Sequence, residues 1–221
     1  METHNTRAAL VMLLIATVVL LTPSMVAAVG GTYAFGYYGN ETTLIKEHRA
    51  HVWTGTPPSG QVWAAAPLAV CEQYDCGGKI VETGWIKGTA WDLGDVLQQY
   101  VTYEDVDGSR RMVFHLGNLS QDVWYQFKVI YSNTASRWEA WCFDDVVWYA
   151  PRDLGWTRGR RVVAGSENNN AQGWMDVWGW HPEYKPDPGD WTLYNYSYSQ
   201  VAGGGSIEHA YDYGYHAWGP Q

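Results

Sequence analysis

After Leu21 the chain holds no sustained helical periodicity. In its place come short runs rich in Val, Ile, Tyr, Trp and Thr, each closed by Gly, Asn, Asp or Pro. Representative runs are "GTYAFGYY", "KEHRAHVW", "KIVETGWI", "LQQYVTYED", "VWYQFKVIYS", "RRVVAG" and "WTLYNYSYS". About a dozen such strands, spaced like this, predict an all-β fold: an antiparallel β-sandwich or jelly roll, concanavalin-like in type. "DVDGS" at Asp105–Ser109 reads as a tight hairpin turn, because Asp-Gly readily takes positive φ. "NNNAQG" and "KPDPGD" read as loops, "AGGGS" as a flexible break, and the last fifteen residues as a final strand or a loose end.

The first 28 residues stand apart. Arg7 precedes an apolar run, Ala8–Leu21, and the segment closes on the small residues of "MVAA". This order predicts a secretory signal peptide cut after Ala28, with an uncleaved membrane anchor as the alternative. The run falls short of the roughly 20 residues that a membrane-spanning helix needs. The expected organisation is therefore residues 1–28 as signal peptide and 29–221 as one β-sandwich domain, with a core over 44–200 and a tail over 201–221. The expected location is extracellular.

The net charge of −9 argues against nucleic acid as a partner, since phosphate backbones attract basic patches. No stable membrane partner is expected. In an exported chain, Cys71 and Cys76 could close a small disulfide loop across "CEQYDC", leaving Cys142 as a buried thiol; a pairing of Cys142 with one of the other two stays open. Zinc would need a second tight pair of Cys or His ligands, and the short "EDVDG" is only a fragment of a calcium loop. His181, His209 and His216 have no short ligand spacing. No metal and no other cofactor is expected.

Two acids differ from the rest. Strand alternation puts Ile80, Glu82, Gly84 and Ile86 on one face, with Val81, Thr83 and Trp85 on the other. Glu167 likewise shares its face with Gly165 and Val163. An acid beside a glycine on each strand suits a sheet that another backbone can approach closely. The plain alternative is two ordinary exposed strand acids.

Around these residues the chain resembles the neprosin family of glutamic peptidases and, more distantly, the eqolisins and other concanavalin-like sandwiches. Val81-Glu82-Thr83-Gly84-Trp85 is similar to the strand that carries that family's first catalytic glutamate. Ala164-Gly165-Ser166-Glu167-Asn168, followed by Gln172-Gly173, is similar to the segment of the second. The likeness runs from Val52 to Trp191. It differs in its cysteines, which lie before the first glutamate instead of after it. The resemblance implies catalytic Glu82 and Glu167, substrate contacts from Gly84, Trp85, Gly165, Gln172 and Trp174, and an extended peptide as substrate. It also implies an acidic working pH, because two carboxylates around one water cannot both ionise cheaply.

The non-enzymatic alternative is a lectin-like sandwich for a glycan. The chain has 14 Trp and 16 Tyr against four Phe, and Trp124, Trp138, Trp141, Trp148, Trp174, Trp178 and Trp180 would serve as stacking platforms. A sandwich glycosidase would also use two carboxylates, but its usual Glu-x-Asp-x-x-Glu strand is absent.

Overall fold

The computed structural model describes residues 31–169, 174–210 and 213–219; the predicted signal peptide and Gln172 lie outside these. The strands, in chain order, are β1 (Thr32–Gly39), β2 (Ile45–Trp53), β3 (Trp63–Cys71), β4 (Ile80–Gly88), β5 (Gln98–Glu104), β6 (Arg110–Val113), β7 (Trp124–Ser132) and β8 (Arg137–Cys142). They continue as β9 (Asp145–Tyr149), β10 (Arg161–Asn168), β11 (Asp176–Pro186), β12 (Thr192–Leu193), β13 (Tyr198–Ala202), β14 (Ser206–Ala210) and β15 (Gly214–Trp218). The only helical piece among the described residues is a single 3-10 turn, Ala90–Asp92.

Two antiparallel sheets face each other, as the strand pattern predicts. One runs β13-β1-β10-β3-β4-β5-β6; the other runs β14-β15-β11-β2-β7-β8-β9, with β12 beside β11. Between them lie Val70, Val81, Trp85, Val101 and Val162 from the first sheet, packed on Val52, Phe127, Val129, Trp138 and Trp148 from the second. The hairpin at Asp105–Ser109 forms as expected: Asp105 donates its N–H to the Ser109 carbonyl, and Gly108 takes φ 77°. Cys71 and Cys76 are disulfide-bonded and Cys142 is free.

The sandwich is larger than a core over 44–200. β1 sits inside the first sheet, between β10 and β13, and the C-terminal residues supply β14 and β15, with Tyr215 and Ala217 buried in the core. Glu183 belongs to β11 and ion-pairs with Arg49 at 2.7 Å. "AGGGS" is a packed turn, with Gly205 against the Tyr33 carbonyl.

The first sheet is covered on both faces, which is why β3 reads "WAAAPLAV" with every residue buried rather than alternating. Its outer face carries two apolar clusters. One gathers Phe35, Tyr37, Ala69, Ile80 and Val163 around the disulfide; the other gathers Trp63, Ala65, Ile86, Leu93 and Tyr100. A strip of small residues separates them. Gly84 lies opposite Pro67 on β3 and Tyr100 on β5, while Gly165 lies opposite Phe35 on β1.

Pro67 has no N–H to give, so the β3–β10 ladder skips beside it. Pairing resumes in the same register at Glu167 and Ala65. The glycines are required here by their own sheet. A Cβ on Gly84 would stand 1.9 Å from the Ala66 carbonyl oxygen, and one on Gly165 would stand 2.1 Å from that of Ala34. It is the neighbouring strand, not a ligand, that comes close. Because the obstacle is backbone, Gly84→Ala is expected to cost about 3 kcal/mol or more, read as a shift of the urea midpoint; a change within 0.5 kcal/mol would contradict the packing described.

Candidate active site

The outer-face strip brings the two glutamates together. Glu82 on β4 lies opposite Ala69 on β3 and Thr102 on β5, whereas Glu167 on β10 lies opposite Ala65 on β3 and Tyr33 on β1. Ala65 and Ala69 share a face, with Pro67 between them, so one strand separates the acids and only small side chains lie in the gap. The charge of Glu82 acts on Glu167 across this gap.

Both acids line a single groove with Phe35, Trp63, Ile86, Trp91, Tyr100, Thr102, Arg110 and Met112. The enclosed part of the groove has the room of roughly one water. Trp91 leans over one end, tilted against Trp63 (centroids 5.9 Å apart) and stacked on Phe114 at 5.8 Å.

The electrostatics of the pair are uneven. Desolvation in the groove pushes both carboxyl groups above their ordinary range. The Tyr100 hydroxyl donates to Glu82 Oε1 at 2.7 Å and holds that group down, with the Arg110 guanidinium acting the same way. Glu167 is raised well above the ordinary value, first by burial and then by the charge of Glu82, against a smaller pull from Arg110. Tyr100 is itself buried and raised, which keeps it a donor.

Sequence reasoning picked the acids and the two floor glycines but not the rest of the groove. Tyr100, Thr102, Arg110 and Met112 come from β5 and β6, and the alternation of "LQQYVTYED" already puts Tyr100 and Thr102 on one face. What it lacked was the register that sets Thr102 against Glu82. One expected substrate contact must be corrected: Trp85 is fully buried on the opposite face, in the core between the sheets, where its Nε1 donates to the Trp53 carbonyl. Trp174 is half-buried, packed against that core, and its carbonyl accepts from Asn168 Nδ2.

The proposed sugar platforms divide. Trp138 and Trp148 are core residues. Trp124 and Trp180 are exposed, but on strands of the other sheet from the acids. Trp178 lies flat against His216 at 3.9 Å. His216 bonds Asp176, His209 stacks on Tyr196, and among the described residues no group of three or more His, Cys, Asp or Glu is arranged to hold a metal ion.

No protein-family model matches the chain, and no curated protein sequence matches it. Solved structures do. Scytalido-glutamic peptidase with a transition state analog inhibitor superposes with a TM-score of 0.56 at 8% identity, covering 85% of this chain and 97% of that one. The same peptidase with a peptide-based transition state analog gives 0.55 at 10% identity, with the same coverage. SCP-B, a member of the eqolisin family of peptidases in complex with the tripeptide Ala-Ile-His, gives 0.46 at 9%, covering 85% and 96%. At such identities the shared property is the fold: the chain has the sandwich architecture of scytalido-glutamic peptidase.

Proposed function

We propose that this protein is a secreted, neprosin-like glutamic endopeptidase in which Glu82 and Glu167 activate one water against a peptide bond at acidic pH. The observation that carries the reading is the pair itself: two desolvated carboxyl groups from strands one apart, facing one groove across a floor of Ala65, Pro67, Ala69 and two glycines. A floor without bulky side chains lets an extended backbone lie between the acids. The fold neighbours crystallised with transition-state analogues support a peptide as the occupant.

In this mechanism the pair shares one proton. The hydroxyl of Tyr100 stabilises charge on Glu82, and among the described residues no hydrogen-bond donor reaches Glu167, so the proton resides on Glu167. Glu82 then takes a proton from the water as the water's oxygen bonds to the scissile carbonyl carbon. Glu167 hydrogen-bonds the carbonyl oxygen and polarises it. Collapse of the tetrahedral species expels the amine, which takes up a proton from the dyad, and the dyad returns to its singly protonated form. Arg110, at the rim, favours the singly ionised state over a fully protonated one.

The test is hydrolysis of an acid-denatured protein by the chain from Val29 onward, followed between pH 3 and 7. Activity is expected to peak below pH 6 and to fall as rising pH removes the shared proton. Absence of hydrolysis throughout the range, with binding of an oligosaccharide instead, would transfer the protein to the glycan-binding class.

A further inference from the structure

Beyond Glu82 on the same face of the sheet lies a charge with no counter-charge among the described residues. Arg161 opens β10 on the same face as Val163, Gly165 and Glu167, and lies opposite Cys71, which in turn faces Ile80. It is only 7% exposed. Its Nε is sealed from solvent with no hydrogen-bond acceptor, and among the described residues no carboxylate pairs with it. What surrounds it is a box of tyrosines. The guanidinium carbon stands 3.8 Å from the ring centroid of Tyr74, 5.1 Å from Tyr37 and 5.9 Å from Tyr198.

Burying a guanidinium is costly unless a hydrogen-bonding anion answers it. Ring faces attract the cation, but they do not satisfy its N–H donors. An arginine kept for stability alone would have an acceptor. One kept for a ligand waits for it, and the planar fork of N–H groups fits a carboxylate in two-point contact. The box also joins the groove physically. Tyr37 packs edge-on against Phe35, a groove residue, at 6.4 Å, and both belong to the cluster that includes Ile80 and Val163, beside Glu82.

Resting on the peptidase reading above, we propose that Arg161 and its tyrosine box form a carboxylate-recognition subsite at the Glu82 end of the groove, selecting peptides that present an acidic side chain or a free C-terminus there. The row of Arg161 lies two residues beyond that of Glu82 and six residues along β10 from Glu167, roughly 7 Å and 20 Å at the usual strand rise. An extended substrate would place the selected carboxylate about three to four residues from the cleaved bond. Tyr74, in the disulfide loop and 38% exposed, closes the box from the solvent side.

The experiment uses one unstructured peptide in which a single Glu is moved through successive positions. Each version is compared with the same peptide carrying Gln, and free C-termini are compared with amidated ones. Cleavage at pH 5 is measured as kcat/KM for the wild type, Arg161→Gln and Arg161→Lys. Binding of the same peptides to Glu167→Gln, and to Glu167→Gln with Arg161→Gln, is measured by fluorescence anisotropy. One position, or the free terminus, is expected to be favoured at least tenfold in the wild type. That ratio should fall to near one in Arg161→Gln and be partly kept in Arg161→Lys.

If the preference follows the free terminus, the ligand is the end of a chain; if it follows Glu at one position, it is a side chain. Charge preference at no position, or an equal preference in Arg161→Gln, overturns the proposal. So does a thermal midpoint lowered by more than about 5 °C in Arg161→Gln with the preference intact, which marks a structural arginine. Charge-selective binding that needs Arg161, without cleavage of any peptide, keeps the subsite and removes the peptidase reading.

Discussion

Glu82→Gln and Glu167→Gln are each expected to lower hydrolysis of denatured protein by about 10²–10⁴-fold, and the double variant no further than the worse of the two, because the residues act on one water as a unit. The same substitutions should have the opposite effect on stability at neutral pH. Both carboxyl groups are raised in the folded state, so the folded chain holds their protons more tightly than the unfolded chain. The stability contributed this way is fully present below the ordinary carboxylate range near pH 4.5 and is lost as the pH rises through the folded values. At pH 7 the pair is a liability, and a neutral carboxamide removes it. Each variant should therefore gain on the order of 1–4 kcal/mol at pH 7 and little at pH 4, measured by urea unfolding at both. A single variant that keeps full activity takes that glutamate out of the mechanism. A loss of stability at pH 7 contradicts the desolvated environment described for it.

The second large effect lies under the floor of the groove. His48 is fully buried between the sheets. One ring nitrogen bonds the Ala69 carbonyl at 3.0 Å and the other bonds the Tyr194 hydroxyl at 2.6 Å. A carbonyl can only accept, so Nδ1 carries the proton and Nε2 accepts from Tyr194. Burial pushes this imidazole down from 6.5 to about 3. In an unfolded chain it would protonate near 6.5, so its contribution to stability is complete above that value and drains away as the pH falls toward 3. At pH 4 the deficit is roughly 3 kcal/mol, at about 1.4 kcal/mol for each tenfold. His48→Gln should weaken the protein at pH 7 by about 2 kcal/mol, through lost packing and one lost hydrogen bond. It should also flatten the acid limb, so that between pH 7 and pH 4 the variant loses about 3 kcal/mol less than the wild type. Parallel acid limbs would refute the assignment. The dyad and His48 thus pull in opposite directions: acid relieves the glutamates and taxes the histidine, and the working range of a chain built this way is bounded below by His48.

The strands were legible because their residues obey a period of two and their turns use residues that tolerate the turn geometry, as Asp105–Ser109 does. The same alternation put Glu82 and Ile86 on one face and Trp85 on the other, so Trp85 could have been excluded as a substrate contact from the sequence; the family likeness included it only because it sits inside the quoted motif. What no local pattern carries is pairing between distant strands. That Thr102 meets Glu82, that Ala65, Pro67 and Ala69 make the floor, and that Trp63 and Trp91 wall one end all depend on β3 lying between β4 and β10, strands about 80 residues apart in the chain. Arg161 was legible only inside the strand run "RRVVAG", and its burial among Tyr37, Tyr74 and Tyr198 required three further segments to converge. β3 itself gave no alternation to read, since both of its faces are covered.

The position of β1 has a consequence for how the molecule comes into being. Residues 32–39 pair on one side with 161–168 and on the other with 198–202, and β2 pairs with β11, so partners in both sheets are separated by more than a hundred residues. A growing polypeptide cannot close either layer until nearly all of it has been made. Release from the ribosome, or delivery across a barrier as an extended chain, would precede folding rather than interrupt it, and a product ending before residue 198 would leave β1 with one flank bare.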